Sequence, residues 1–113
     1  MAEQIDGVNS RIRLLLTDEL DVITQFRTLL KSEQESLIAG NTVALSDITA
    51  SKSAHLDRIN VLSSQQLKLI AGLGFKADKS GMAEWANQCP PELRQLWESI
   101  LDITLDIKST NLV

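Results

Sequence analysis

The chain has 113 residues, a formal net charge of −4 and a pI of about 4.9. A hydrophobic content of 43% with 23% charged residues is typical of one folded domain and excludes a wholly disordered chain. The acidic balance and the lack of a clustered Lys/Arg run argue against nucleic acid or an anionic membrane as the partner.

The N-terminal segment is polar and acidic, unlike a secretory signal, and no apolar run reaches the ~18 residues of a membrane span. The single cysteine cannot form an internal disulfide. These features predict a cytoplasmic protein without membrane insertion. Residues 1–9 are expected to form a loose terminus.

The first predicted helix covers residues 10–39, with Asn9 or Ser10 as its N-cap. Its apolar positions recur at spacings of three and four residues, which is the repeat of a coiled coil. The seam consists of Ile12, Leu16, Glu19, Ile23, Phe26, Leu30, Glu33 and Leu37.

The second predicted helix covers residues 43–71 and follows a Gly40-Asn41 turn, with Asn41 or Thr42 as its N-cap. A connection this short forces the two helices to run antiparallel. The seam of this helix consists of Leu45, Ile48, Lys52, His55, Ile59, Leu62, Gln66, Leu69 and Leu73.

A turn centred on residues 40–42 pairs positions whose numbers sum to about 82, which brings Glu33 within one helical turn of Lys52. We therefore predict that these two seam residues approach each other. One interpretation is a solvated surface ion pair. The other is a device that sets the hairpin register, because a slipped hairpin would place a charge against leucines.

Two shorter elements complete the predicted fold. Gly72 and Gly74 end the second helix, and Ser80 is expected to cap a short helix over residues 82–88 that turns Met82 and Trp85 toward the core. Pro90-Pro91 begins the last helix, residues 91–111. The prediction is an all-α single domain, an elongated, coiled-coil-like antiparallel hairpin with the short third helix and the long C-terminal helix packed on it.

The last helix carries more apolar surface than one core contact requires. Its apolar residues cover about 200° of the helix circumference, whereas a surface helix needs about 100°. One stripe is predicted to face the core: Leu93, Leu96, Trp97, Ile100, Ile103 and Ile107. A second stripe, with Trp97 at its edge, is predicted to bind a partner helix: Leu101, Leu105 and Leu112. The alternative is that this stripe packs around the hairpin or is buried in a self-associated dimer.

No set of residues predicts catalysis, a cofactor or a metal site. His55 is the only histidine, lies on the seam and has no nucleophile beside it. Cys89 precedes two prolines in a turn and is predicted to be an unreactive thiol. An acidic row, Glu98, Asp102 and Asp106, is interpreted as a solvated helix face, with cation binding as the alternative.

The order of these elements resembles the FlgN family of flagellar type III export chaperones. The resemblance rests on Leu29-Leu30-x-x-Glu33-x-x-x-Leu37, the Gly-Asn turn, Leu45-x-x-Ile48-x-x-x-Lys52-x-x-x-Leu56-x-x-Ile59, the short Trp helix and the final Asn111-Leu112. It covers roughly residues 10–113.

The resemblance implies a cytoplasmic chaperone without enzymatic activity. Its clients would be the hook-filament junction proteins FlgK and FlgL, bound through their helical C-terminal segments and delivered to components of the export apparatus. It also places client binding on the helix from Leu93 onward. Members of the family usually continue past this point, so part of the client site is expected beyond Val113. The alternative is a structural coiled-coil subunit that self-associates or joins another helical protein.

Overall fold

The computed structural model describes the backbone of residues 2–111 and the side chains of residues 7–109. It contains four α-helices and, among the described residues, no strand. The helices are α1 (Ala2–Ala39), α2 (Thr42–Gly72), α3 (Lys79–Gln88) and α4 (Pro91–Asn111). With principal extents of 57 × 22 × 21 Å, the molecule is elongated, and the predicted all-α class is confirmed.

The N-terminus differs from the sequence-based expectation. Residues 2–9, predicted to be loose, belong to α1, so neither Asn9 nor Ser10 is an N-cap. Val8 packs against the hydrophobic core and Asn9 is half-buried. This tertiary contact offsets the ~1 kcal/mol that Gly7 costs inside a helix, an effect that local propensity does not reveal.

The two glycines that end α1 and α2 adopt left-handed backbone conformations. Gly40 has φ of 69° and Gly74 has φ of 99°, which residues with a side chain rarely adopt. Across them, the amide of Asn41 donates to the Ser36 carbonyl at 2.9 Å, and the amide of Phe75 donates to the Ile70 carbonyl at 3.1 Å. The glycines therefore end both helices sharply.

Side-chain oxygens cap the two following helices. Asn41 Oδ1 accepts a hydrogen bond from the Ala44 amide at 3.1 Å at the start of α2, as predicted. Asp78 Oδ1 accepts from the Gly81 amide at 2.8 Å, so α3 begins at Lys79 and its N-cap is Asp78. The predicted start at residue 82 with Ser80 as the cap was wrong, because Asp78, which caps a helix about as well as serine, lies two residues earlier and accepts this bond.

The α1–α2 hairpin has the predicted register. Ser63 Oγ on α2 donates to Glu19 Oε2 on α1 at 2.8 Å, and these residue numbers sum to 82. Lys52 Nζ lies 2.9 Å from Glu33 Oε2, so the predicted approach of these two residues is present. The spacing of apolar residues thus determined how the two long helices face each other.

The last helix runs parallel to α1. Arg13 Nε lies 2.9 Å from Glu92 Oε1, and Arg27 Nη1 lies 3.4 Å from Asp106 Oδ2. Both pairs join residues 79 positions apart, so α4 keeps one register along about four turns of α1. Within the described residues, no Cα atom of α4 lies within 8 Å of one in α2.

The core lies at the end of the hairpin that α3 covers. Trp85 is 2% exposed and belongs there to a buried cluster that includes residues from each of the four helices. The buried cluster comprises Ile12, Leu16, Ile23, Ile70, Met82, Trp85, Ala86, Cys89, Leu93 and Ile100. Residues of α3 thereby join α2 to the start of α4. Among the helices described, none has an apolar stretch suited to crossing a bilayer.

Candidate partner-binding site

The inner side of α4 forms part of the protein's own core. Leu93 and Ile100 are 0% and 4% exposed. The remaining members of the predicted core stripe are partly buried and pack against the same cluster: Leu96, Trp97, Ile103 and Ile107. All six residues of this stripe are therefore placed as the helical periodicity predicts.

The outer side of α4 leaves two leucines in solvent. Leu101 is 41% exposed and Leu105 is 63% exposed. They are four residues apart and so neighbour each other on one helix face, with Trp97 one turn before them. Leu112, the last predicted member of the stripe, lies outside the described residues. The described part of the stripe extends over ~12 Å of helix.

Acidic side chains border this stripe. Glu98 and Asp102 are exposed and neighbour Leu101 and Leu105 along the helix. Asp106 pairs with Arg27 of α1 at 3.4 Å. Among the described residues, no cluster of His, Cys, Asp or Glu is suited to a metal ion. The geometry supports a helix face that can bury apolar groups of a partner.

Exposure alone does not distinguish this stripe from the rest of the surface. Large apolar side chains are also exposed at other positions: Leu14, Leu37, Ile38, Val43, Leu56 and Val61. The α4 leucines differ because they continue a partly buried tryptophan, a residue type that often anchors protein interfaces.

The histidine and the cysteine are held by internal contacts. His55 Nδ1 lies 2.7 Å from the Ser51 carbonyl oxygen and Nε2 lies 3.0 Å from Gln25 Oε1. Cys89 is buried, its Sγ donates to the Ala86 carbonyl at 3.4 Å, and burial raises the pKa of its thiol. A thiol with a raised pKa is a poor nucleophile, which agrees with the prediction that it is unreactive.

The hairpin contains a buried polar cluster that the sequence analysis did not predict. Glu19 and Gln66 are 3% and 2% exposed, and Ser63 donates to the Glu19 carboxylate. Burial raises the pKa of Glu19, whereas the Ser63 hydroxyl and the nearby Gln66 amide act to lower it. The Gln66 Nε2 atom nevertheless makes no well-formed hydrogen bond. The signal was present in the sequence, because both residues occupy seam positions.

These features define an elongated all-α protein, with a long hairpin scaffold and a C-terminal helix that has a buried and an exposed apolar side. The family model described as FlgN protein matches residues 8–113, and the chain belongs to the FlgN family, which consists of flagellar export chaperones. The family is not enzymatic, and its members bind flagellar proteins. No curated protein and no solved structure matches the chain.

Proposed function

We propose that this protein is a cytoplasmic chaperone for the hook-filament junction proteins FlgK and FlgL. It binds their helical C-terminal segments, prevents premature polymerisation and delivers them to the type III export apparatus. The observation that carries this proposal is the exposed Leu101–Leu105 pair on a helix whose inner side already packs against the protein's own core.

The binding step is burial of apolar surface. An amphipathic client helix lies along Leu101 and Leu105 with Trp97 at the edge. Removing roughly 400 Å² of apolar surface from water supplies a gross gain of ~10 kcal/mol before ordering costs. That margin supports micromolar or tighter binding, which is sufficient to keep a client in solution.

The test measures client affinity after the stripe is made polar. Leu101→Asp and Leu105→Asp are titrated calorimetrically, in the full chain, against C-terminal segments of FlgK and FlgL. Each variant is expected to weaken binding by about tenfold or more, because a buried leucine contributes ~1.5–3 kcal/mol. Circular dichroism is expected to show unchanged helicity, since both leucines are exposed in the free protein.

Leu56→Asp is the matched control. Leu56 is 44% exposed, close to the 41% of Leu101, but it lies on α2. Its replacement is expected to leave client affinity within about twofold, the scatter of a surface substitution. Equal losses from all three variants, or no loss from either α4 variant, would contradict the proposed site. A stable homo-oligomer that buries Leu101 and Leu105 would instead support the structural coiled-coil alternative.

A further inference from the structure

An apolar groove lies between α1 and α2, away from the exposed stripe on α4. It has a volume of about 440 Å³ and is open to solvent along its outer side. Six residues line it: Arg11, Leu14, Leu15, Gln65, Lys68 and Leu69. Leu14 is 68% exposed and lies beside two other apolar side chains of the groove, Leu15 and Leu69.

The charged residues of this groove are both cations. Arg11 stands on α1 and Lys68 on α2, so the two helices that form the walls each contribute one positive charge. Neither forms an ion pair within residues 7–109, whereas Arg13, Arg27 and Lys52 all do. In a chain with a net charge of −4, an apolar groove with two unpaired cations is a distinct electrostatic feature.

An acidic residue on this side of α1 is already engaged. Asp18 lies one turn beyond Leu14, and its Oδ2 atom is 3.8 Å from Arg58 Nη2. No carboxylate lines the groove itself. The positive charge of Arg11 and Lys68 is therefore available to an incoming group.

The groove and α4 occupy different sides of α1. Arg13, which pairs with Glu92 of α4, and Arg11, which lines the groove, are about 200° apart around the helix. The two apolar surfaces also differ in charge, because the charged residues that line the groove are both cations, whereas Glu98, Asp102 and Lys108 all neighbour the leucines of the stripe on α4.

We propose that this groove docks an acidic amphipathic helix of a partner protein, independently of the α4 stripe. The apolar ridge of that helix contacts Leu14, Leu15 and Leu69. Carboxylates on its two flanks pair with Arg11 on one wall and Lys68 on the other. Helix-in-groove recognition of this kind needs only a few apolar anchors at spacings of three and four residues.

A second copy of the chain fits the groove less well than such a partner does. The outer face of α4 carries leucines with acidic neighbours, but it lies on a different side of the chain from the groove. Copies joined in this way would add one after another without closing into a symmetric dimer.

The test uses two synthetic helical peptides and the full-length protein. One peptide spans about three heptads, with leucine at the a and d positions and glutamate at e and g. The other is identical except for lysine in place of glutamate. Fluorescence anisotropy at ~0.1 M salt, where charges act over ~10 Å, is expected to show about tenfold tighter binding of the acidic peptide.

Charge reversal in the groove is expected to reverse this preference. The Arg11→Glu/Lys68→Glu variant should bind the acidic peptide about tenfold more weakly and the basic peptide more tightly. Lys31→Glu is the matched control, an exposed α1 cation outside the groove lining, and should change either affinity by less than about twofold. Leu101→Asp should leave the affinity for the acidic peptide unchanged.

Three results would overturn the proposal. The first is equal binding of the two peptides, and the second is loss of binding in Leu101→Asp, which would place the peptide on the α4 stripe. The third is concentration-dependent self-association, measured by light scattering, that the groove charge reversal abolishes, because the occupant would then be a second copy. A loss of FlgK or FlgL binding in the α4 variants, with peptide binding retained, separates this site from the proposed client site.

Discussion

Lys52 Nζ lies 2.9 Å from one carboxylate oxygen of Glu33 and 3.1 Å from the other, across the seam between α2 and α1. The two side chains are only 27% and 22% exposed. The ion pair is thus neither a fully solvated surface contact nor a fully buried one. Its energetic contribution is expected to lie between these extremes.

Replacing either member of this pair by leucine is expected to destabilise the fold by roughly 1–2 kcal/mol, because the remaining charge faces apolar neighbours. The double variant Glu33→Leu/Lys52→Leu should lose less than the sum of the two single variants. Urea unfolding of all four proteins gives the coupling free energy. Additive single effects would contradict a direct interaction.

The pair Asp18–Arg58 provides the matched control for this cycle. Its atoms are 3.8 Å apart and both side chains are more than half exposed, so its coupling is expected to be near zero. If the Glu33–Lys52 pair also sets the register, the double-leucine variant should show a second set of backbone amide resonances from a slipped hairpin. A single set would leave the pair as a stabilising contact only.

Glu19 is expected to make stability depend on pH. Its pKa in the folded protein is raised by burial, so the folded state binds a proton more readily than the unfolded state. The associated stability is present at acidic pH and is lost as pH rises through the raised pKa. Relative to Glu19→Gln, the wild-type free energy of unfolding should therefore increase as the pH falls from neutrality.

Urea titrations of wild type and Glu19→Gln at a series of pH values measure this difference. Glu35→Gln, at an exposed position on the same helix, serves as the control and should track the wild type at every pH. A constant difference between wild type and Glu19→Gln across the series would show that Glu19 does not titrate differently on folding.

Gly81 is predicted to tolerate no side chain. A Cβ atom there would overlap the carbonyl oxygen of Lys76 and lie 2.6 Å from its carbonyl carbon, both backbone atoms. Gly81→Ala should therefore destabilise the protein by ~1–3 kcal/mol, the cost of overpacking. Gly72→Ala is the control, since no atom lies within 4 Å of its added Cβ, and it should be neutral or slightly stabilising. Thermal unfolding followed by circular dichroism separates the two.

Truncating a side chain should lower the free energy of unfolding on the inner side of α4 but hardly change it on the outer side. Ile100→Ala removes a residue that is 4% exposed and should cost about 2–5 kcal/mol in the free protein. Leu105→Ala, at 63% exposure, should change the free energy of unfolding by less than ~0.5 kcal/mol. Comparable losses at both positions, measured by urea unfolding, would mean that the outer stripe belongs to the fold rather than to a partner.

Much of the fold was predictable because it depends on local patterns. The three-and-four spacing of apolar residues predicted the hairpin and its register, and Gly40, Gly74 and Pro91 marked the helix ends. The division of α4 into a core side and an exposed side also followed from periodicity. Each of these properties is determined by residues close together in the chain or by a short turn that links them.

Other features required the tertiary structure, because they depend on residues far apart in sequence. A helical pattern shows which face is buried but not which helix covers it, so only the Arg13–Glu92 and Arg27–Asp106 pairs established that α4 follows α1 in parallel. The helical start at Ala2 also depends on a tertiary contact, because Val8 packs against the core. The groove between Arg11 and Lys68 depends on the tertiary structure as well, because α4 covers only one side of the hairpin.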